Sequence, residues 1–303
     1  MSNWTEEDRK VAIDLFQQAI TRDPNYASAH AGLADAYAIA GYFSEIPPAE
    51  AFRKAQAAAI RAVELDDSLP EAHLSLGLVD FPYIWNFKQA EDEIKRALEL
   101  DANSAYAHFV YCIYDMTQGR TQEAIRECQR AVELDPLIPI YNAVLSEAYY
   151  FARDYDQAKL HAEKALELNA NFAQAHLDLG GAYEGKRLYK EAVQEYIRYY
   201  ELVGQASHAE KLRNAFDKTG CNGYLRQDIA NSKSNYSSGD LGQAFTIAAD
   251  YAELSDRGAA FSWLEKAFAA RSDLLFIKVE PELDNLRSDP RYADLLRRIG
   301  LPQ

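Results

Sequence analysis

The chain lacks any run of about eighteen consecutive apolar residues, which is the length that a membrane-spanning helix needs. Its first residues also lack the basic stretch and the apolar stretch of a secretory signal peptide. We therefore predict no membrane segment in this chain and a cytoplasmic location. The alternative is a periplasmic location, if the chain is a part excised from a membrane-anchored regulator.

Basic residues are scarce, with 32 lysines and arginines against 47 acidic residues and a net charge of −15. Binding to nucleic acid needs Lys and Arg concentrated against the phosphates. We therefore predict that nucleic acid is not a partner. A protein or peptide segment that is basic, apolar or amphipathic suits this surface better.

The patterns of common enzymes are missing as well. The sequence has no glycine-rich phosphate loop, and no Ser-His-Asp or Cys-His-Asn arrangement can be named from its spacings. The many Glu and Asp residues are interpreted as solvated charge on helix faces. We therefore predict that the chain is not an enzyme and has no cofactor.

A short pattern recurs along the chain: an alanine, an apolar residue, a charged residue, and then Leu-Asp or Leu-Asn. Successive alanines of the pattern are separated by 43, 35, 34 and 34 residues. The copies begin at Ala62, Ala97, Ala131 and Ala165, with a divergent first copy at Ala19. A period near 34 residues is typical of stacked helical hairpins, each too small to bury its own apolar face.

Small residues recur with the same period where the two helices of a hairpin cross closely. These are Ala55, Ala90, Ala124, Ala158 and Ala192. The pattern resembles the tetratricopeptide repeat family over residues 5 to 204. The resemblance implies an all-α fold, a right-handed α-α superhelix of about eight hairpins. We expect the array at residues 1–204, and degenerate and capping repeats of the same solenoid at residues 205–303.

Prolines mark where the repeat departs from its period. Pro48 is predicted to begin a lengthened helix that runs to about Leu65. Pro82 is predicted to stop another helix early. In the tail, Ser288 is predicted to cap a last helix that has Pro290 in its first turn. The tail side chains predicted to be buried are Ile277, Leu283, Leu286, Leu295, Leu296 and Ile299.

Histidine and cysteine are interpreted as packing residues. Four histidines share one place in the repeat: His30, His73, His108 and His176. Equivalent places in stacked hairpins lie about 8–10 Å apart, whereas zinc ligands converge to about 2 Å from the ion. They cannot share a metal, so no metal site is predicted. Cys112 and Cys128 are expected to be close to each other, either as small packing residues or as a disulfide.

The C-terminal third carries a narrower resemblance. The stretches Trp263–Phe268, Leu286–Tyr292 and Leu295–Leu301 are similar to the end of bacterial multidomain signalling proteins. In that group a winged-helix, Ser/Thr kinase or adenylate cyclase domain precedes such an array. The resemblance implies an interaction or sensor module of a signalling or regulatory protein. It does not indicate which effector, if any, accompanies the module.

The family resemblance also implies which residues line the concave groove. They are Leu74, Leu78, Phe81, Tyr106, Phe109, Ile113, Met116, Ile140, Glu147, Tyr150 and Phe151. Because this channel is apolar and aromatic, we expect it to bind an apolar or amphipathic segment of a protein partner. One alternative is a sensor that holds a small or lipid-like molecule in the same channel. Another is a structural spacer or homodimerisation unit whose groove is filled by another part of the chain or by a second copy.

Overall fold

The computed structural model describes residues 6–42, 45–271 and 274–301 of the chain. Within these ranges it contains sixteen α-helices and no β-strand. The helices are Glu6–Arg22 (α1), Ala27–Tyr42 (α2), Pro48–Leu65 (α3), Pro70–Val79 (α4), Phe87–Leu100 (α5), Ala105–Gln118 (α6), Thr121–Leu134 (α7), Pro139–Phe151 (α8), Tyr155–Leu168 (α9), Ala173–Gly185 (α10), Tyr189–Leu202 (α11), Ala206–Thr219 (α12), Cys221–Ser237 (α13), Gln243–Glu253 (α14), Arg257–Ala270 (α15) and Pro290–Ile299 (α16). The predicted all-α class is confirmed. Among the helices of the described ranges, none combines the length and the hydropathy needed to cross a bilayer.

The described residues form two compact units. The first unit contains the residues up to Tyr114 and Glu133–Asp135. The second unit contains Asp115–Val132 and the residues from Pro136 onward. In the first unit α2 packs on α3 and α4 packs on α5. The second unit repeats this arrangement, pairing α8 with α9, α10 with α11, α12 with α13 and α14 with α15. In the second unit α11 also packs on α12, across the predicted array boundary at Gly204.

Small side chains set the close approach of the paired helices. The five alanines predicted at the crossing points are at most 1% exposed. Two glycines act in the same way: a Cβ atom added at Gly77 would lie 2.7 Å from the side chain of Ile94, and one added at Gly180 would lie 2.3 Å from the ring of Tyr196. Because neither position has room for a larger side chain, the repeat period is fixed by helix packing.

We expect Ala158→Leu to lower the free energy of unfolding by about 1–3 kcal/mol or more. Ala158 is fully buried, and its carbonyl oxygen accepts a hydrogen bond of 2.7 Å from the Ser146 hydroxyl. A leucine would push α9 away from α8 and break that bond. Urea unfolding measures the change, with Ala293→Leu on the exposed side of α16 as the control. An unchanged midpoint for Ala158→Leu would show that the helices have room to spare.

The prolines act largely as predicted. Pro48 is the first residue of α3, which ends at Leu65. The α-helical part of α4 ends at Val79, and the chain continues through a π-helical turn, Asp80–Ile84. There the ring of Tyr83 stacks on that of Phe52, with centroids 4.8 Å apart. Pro82 therefore ends the regular helix without ending the helical path of the chain.

The recurring histidines close the turn before each first helix. In all four, the ring Nε2 lies 2.8–3.3 Å from the carbonyl oxygen six residues earlier. His73 and His176 also place Nδ1 within 2.7 Å of the carboxylates of Glu93 and Glu195 on the second helix of their hairpins. These contacts give the histidines a structural role. The cysteines differ from the packing interpretation, because Cys112 and Cys128 are both disulfide-bonded.

The C-terminal end consists of two short 3-10 helices, Leu274–Phe276 and Pro281–Leu286, followed by α16. All six apolar side chains predicted to be buried here are buried, none more than 6% exposed. The cap of α16 was predicted one residue too early. The Asp289 carboxylate accepts a 3.0 Å hydrogen bond from the backbone N–H of Arg291, so Asp289 and not Ser288 is the N-cap.

Candidate functional site

The predicted groove residues differ widely in exposure. In the first unit Leu78, Tyr106 and Ile113 are half-buried, whereas Leu74, Phe81 and Phe109 are buried. In the second unit Ile140, Glu147 and Tyr150 are half-buried, whereas Met116 and Phe151 are buried. Phe81 and Met116, at most 1% exposed, are core residues in this structure. That these eleven residues contact a partner remains a prediction.

The face formed by α8 and α10 in the second unit carries several of these residues. Gly181 of α10 lies under the ring of Tyr150, since a Cβ atom added there would be 3.4 Å from that ring. Next to Tyr150, the ring of Phe151 lies at the end of α8. We call this surface, with Glu147, Tyr150 and Phe151 on α8 and Asp178 and Glu184 on α10, the α8–α10 face.

Residues 274–287, which we call the C-terminal strap, lie across part of the α8–α10 face. The ring of Phe276 packs on that of Phe151, with centroids 5.2 Å apart. The Tyr150 hydroxyl donates a 3.1 Å hydrogen bond to the Glu280 carboxylate. The chain therefore places one of its own segments where a partner peptide was predicted.

Arginine and lysine hold the strap, largely through backbone oxygens. Arg153 follows α8 in the left-handed backbone region, with φ of 62°. Its guanidinium donates 2.6 Å hydrogen bonds to the carbonyl oxygen of Val279 and to the carboxylate of Asp284. The Lys278 ammonium donates a 2.9 Å hydrogen bond to the carbonyl oxygen of Gln118. Burial, with Arg120 and Arg287 nearby, lowers the pKa of Lys278.

A group of carboxylates surrounds the strap and continues beyond it over the second unit. We call it the acidic cluster: Glu147 on α8, Asp178 and Glu184 on α10, Asp228 on α13, Asp250 and Glu253 on α14, and Glu280 and Glu282 in the strap. Asp228 and Asp250 are buried, and the other six are half-buried. The interpretation of the acidic residues as solvated helix-face charge is therefore wrong for this group.

Burial raises the pKa values of seven of these groups: Glu147, Asp178, Glu184, Asp250, Glu253, Glu280 and Glu282. Loss of solvation is the largest cause for each, and for all but Glu280 the charge of a neighbouring carboxylate adds to it. The pKa of Glu147 rises to about 7, that of Glu280 to about 7 and that of Glu253 to about 8. The pKa values of Asp178, Asp250 and Glu282 rise well above the ordinary range, and that of Glu184 is also raised.

Tyrosines supply several of the hydrogen bonds to the acidic cluster. The Tyr196 hydroxyl donates to Glu184 at 2.6 Å, and the Tyr200 hydroxyl donates to Asp228 at 2.9 Å. In contrast, one oxygen each of Asp178 and Asp250 is buried and has no hydrogen-bond partner. A buried acceptor that has no donor costs about 1–3 kcal/mol.

Sequence reasoning found only Glu147 of the acidic cluster. The other members belong to α10, α13, α14 and the strap, which are distant in sequence and meet only in the fold. One signal was available in the sequence: the acidic residues outnumber the basic residues by 15 in a chain of 303, and such an excess favours clustering of carboxylates. The spacing alone does not tell which carboxylates lose their solvent.

Comparisons with known proteins agree with this architecture. The family model described as "Tetratricopeptide repeat" matches residues 2–45 and 144–207. The chain is 30% identical over 142 residues to a DnaJ homolog subfamily C member 3 homolog of Dictyostelium discoideum, an alignment that covers 44% of this chain and 26% of that protein. It is 31% identical over 156 residues to the type IV pilus assembly protein PilF of Pseudomonas aeruginosa, covering 48% of this chain and 56% of that protein.

The chain thus spans about a quarter and about half of the lengths of these two relatives. Among solved structures, the crystal structure of the APC/C hetero-tetramer Cut9-Hcn1 matches with a TM-score of 0.56 at 16% identity, over 96% of this chain and 46% of that chain. That similarity concerns the fold alone. The 34-residue period, the stacked hairpins with alanine at their crossings and the match of the family model over residues 2–45 and 144–207 together show tetratricopeptide repeats in this chain.

Proposed function

We propose that the chain is a non-catalytic protein-interaction module that binds an amphipathic segment of a partner on the α8–α10 face. The observation that carries the proposal is the C-terminal strap. A polypeptide already lies on Tyr150 and Phe151, held by ring contacts and by hydrogen bonds from Arg153 to a backbone carbonyl and an aspartate. Another polypeptide with an aromatic or apolar side chain and a free carbonyl oxygen offers the same groups.

Only part of the α8–α10 face is covered by the strap, and Glu147 and Tyr150 keep partial exposure. A partner segment would lie beside the strap or displace it. For the first unit by itself we propose a separate set of apolar contacts at Leu78, Tyr106 and Ile113, because they are the half-exposed members of the predicted groove there. As the setting of the module we propose a bacterial signalling or regulatory protein, on the resemblance of residues 263–301.

A peptide-display selection on the purified chain tests the proposed function. We expect the enriched peptides to be amphipathic and to bind with one-to-one stoichiometry. Tyr150→Ala is expected to weaken them by about tenfold, which corresponds to about 1.4 kcal/mol of lost ring contact. Tyr189→Ala, at an exposed tyrosine of α11, is the control and should leave the affinity unchanged. Enriched peptides that bind both variants equally would contradict the proposed face.

A structural role is the second candidate, because the strap already covers the ring of Phe151. In that case the strap and the acidic side chains only complete the second unit. Selection would then yield no peptide whose binding depends on Tyr150.

A further inference from the structure

The acidic cluster has far more negative groups than cations to balance them. Within the described part of the chain, Arg153 and Arg287 lie beside Glu280. Their charges stabilise its carboxylate and lower its pKa against the effect of burial. For Glu147, Asp178, Glu184 and Glu253, the neighbours that act on the pKa are other carboxylates, a tyrosine or a glutamine. His208 contacts the cluster from α12, with Nε2 2.9 Å from Asp228.

A second observation indicates that a donor is missing. Asp250 is only 7% exposed, and its Oδ2 atom is buried without a hydrogen-bond partner. Asp228, Glu253 and Glu184 all act on it electrostatically, so this oxygen lies within the cluster. The Oδ2 atom of Asp178 is buried without a partner in the same way. A cationic donor that reached these oxygens would remove an unsatisfied acceptor and the repulsion together.

Aromatic rings accompany the carboxylates. The rings of Tyr196 and Tyr224 stack with their centroids 5.6 Å apart. Burial raises the pKa of both hydroxyls, and the charge of Glu184 adds to this effect. Burial raises the pKa of Tyr150, and the charges of four glutamates add to this effect: Glu184, Glu253, Glu280 and Glu282. Tyrosine faces beside carboxylates attract an ammonium or guanidinium group by cation–π and ionic interactions combined. Glu147, Glu184, Glu253, Glu280 and Glu282 are all half-exposed, so such a group could reach them from solvent.

The geometry does not fit a metal ion. Among the described residues, no three His, Cys, Asp or Glu side chains are arranged so that they could hold one. Spread carboxylates with tyrosines between them fit the longer reach of lysine and arginine side chains, whose apolar stems pack on rings while the charged ends meet carboxylates.

We propose that the acidic cluster is the binding site for lysine or arginine side chains of the partner segment. This inference rests on the proposed function, since it assigns the polar half of the amphipathic segment that the α8–α10 face binds. The apolar half contacts Tyr150, and the cationic half enters the cluster, where Asp250 and Asp178 offer unpaired oxygens. Binding shifts the carboxyl groups toward their charged form, and the protons they release go to the buffer.

The test uses an amphipathic peptide of about 14 residues built from leucine and lysine at helical spacing, and the same peptide with glutamine in place of each lysine. Isothermal titration calorimetry on the full chain measures affinity and, in buffers of different ionisation enthalpy, proton release. We expect the lysine peptide to bind one-to-one, at least about tenfold more tightly than the glutamine peptide. We also expect its affinity to rise between about pH 6 and about pH 8, with protons released on binding.

Matched variants separate a specific site from general attraction to a protein of net charge −15. Glu184→Gln with Glu253→Gln removes two cluster carboxylates, and Glu167→Gln with Glu210→Gln removes two exposed ones from α9 and α12. The first pair is expected to weaken the lysine peptide by about tenfold or more, and the second by less than about twofold. Equal weakening by both pairs, or binding without proton release, would overturn the proposal.

The remaining outcomes distinguish this inference from the proposed function. If the glutamine peptide binds as tightly as the lysine peptide and depends on Tyr150, the interaction module stands and the cationic site fails. If neither peptide binds and display selection is also empty, both fail. Spermine is the third probe: a tighter one-to-one complex with spermine than with the lysine peptide would assign the cluster to a free polyamine and overturn the partner segment as its ligand.

Discussion

Deletion of residues 281–303 is expected to unfold the second unit and to produce aggregates. The segment contains seven apolar or aromatic side chains that are at most 6% exposed, namely Leu283, Leu286, Tyr292, Leu295, Leu296, Ile299 and Leu301. Burying one such side chain contributes about 1.5–3 kcal/mol. A whole domain is stabilised by about 5–15 kcal/mol. Taken at the lower end of each range, seven buried side chains contribute about 10 kcal/mol, which is more than the roughly 5 kcal/mol of a marginal domain. Circular dichroism on heating and size-exclusion chromatography measure the result.

Two point variants accompany the deletion. Leu295→Ala, at a side chain 1% exposed, should lower the free energy of unfolding by about 2–5 kcal/mol. Arg297→Ala lies on the solvent side of the same helix, where its ion pair with Asp294 is exposed, and should change it by less than about 0.5 kcal/mol. A truncated protein that stays monomeric with an unchanged melting temperature would show that the tail is an appendage of the stack.

Local sequence rules predicted much of the fold. The alanine period is set by helix packing within each hairpin, so the crossing points at Ala55 and Ala158 could be predicted without knowing the rest of the chain. Pro48 was predicted correctly because proline fits the first helical turn by its own geometry. The burial of Leu286 and Leu295 followed from helical spacing and from the need of a repeat stack to cover its last apolar face.

Long-range placement could not be predicted from those rules. The path of the strap back to Phe151 and Arg153 spans more than a hundred residues of sequence, and no repeat position encodes it. The groove prediction assigned residues by their place in the repeat, but Phe81 and Met116, at 1% and 0% exposure, lie in the core of this structure. The acidic cluster was missed for the same reason, because loss of solvent at Asp250 depends on elements packed from elsewhere in the chain.

The melting temperature of the protein is expected to fall as pH rises from about 6.5 to about 8.5. Carboxyl groups whose folded pKa is raised keep their protons in the folded state after the unfolded chain has lost them. Their stabilisation is complete below the ordinary pKa of 4.5 and is lost as pH rises through the folded values. Those values are about 7 for Glu147 and Glu280 and about 8 for Glu253. One unit of pKa shift corresponds to about 1.4 kcal/mol, so the three groups together account for several kcal/mol.

Burial also raises the pKa of Asp35 in the first unit to about 7, so this group adds to the same slope, whereas two groups with lowered pKa values leave the window clear. Burial lowers the pKa of His161 to about 4, so the stability that its neutral form provides is lost only as pH falls below the ordinary value of 6.5. Hydrogen bonds from Arg291 lower the pKa of Asp289 to about 2, and its contribution is lost only in acid. Above about pH 6.5 the raised carboxyl groups therefore determine the slope.

Glu253→Gln tests the assignment, because glutamine keeps the size of the protonated acid and cannot ionise. We expect this variant to melt at a higher temperature than the parent at both pH values, with a larger difference near pH 8.5 than near pH 6.5, so that its pH profile is flatter; the two should melt alike only near pH 4.5. Glu167→Gln, at an exposed position of α9, should follow the parent at both pH values. Differential scanning calorimetry across the window measures all three proteins. A parent whose melting temperature is constant or rises over this range would show that the cluster is solvated and charged in the folded state, and the cationic site would then lose its electrostatic basis.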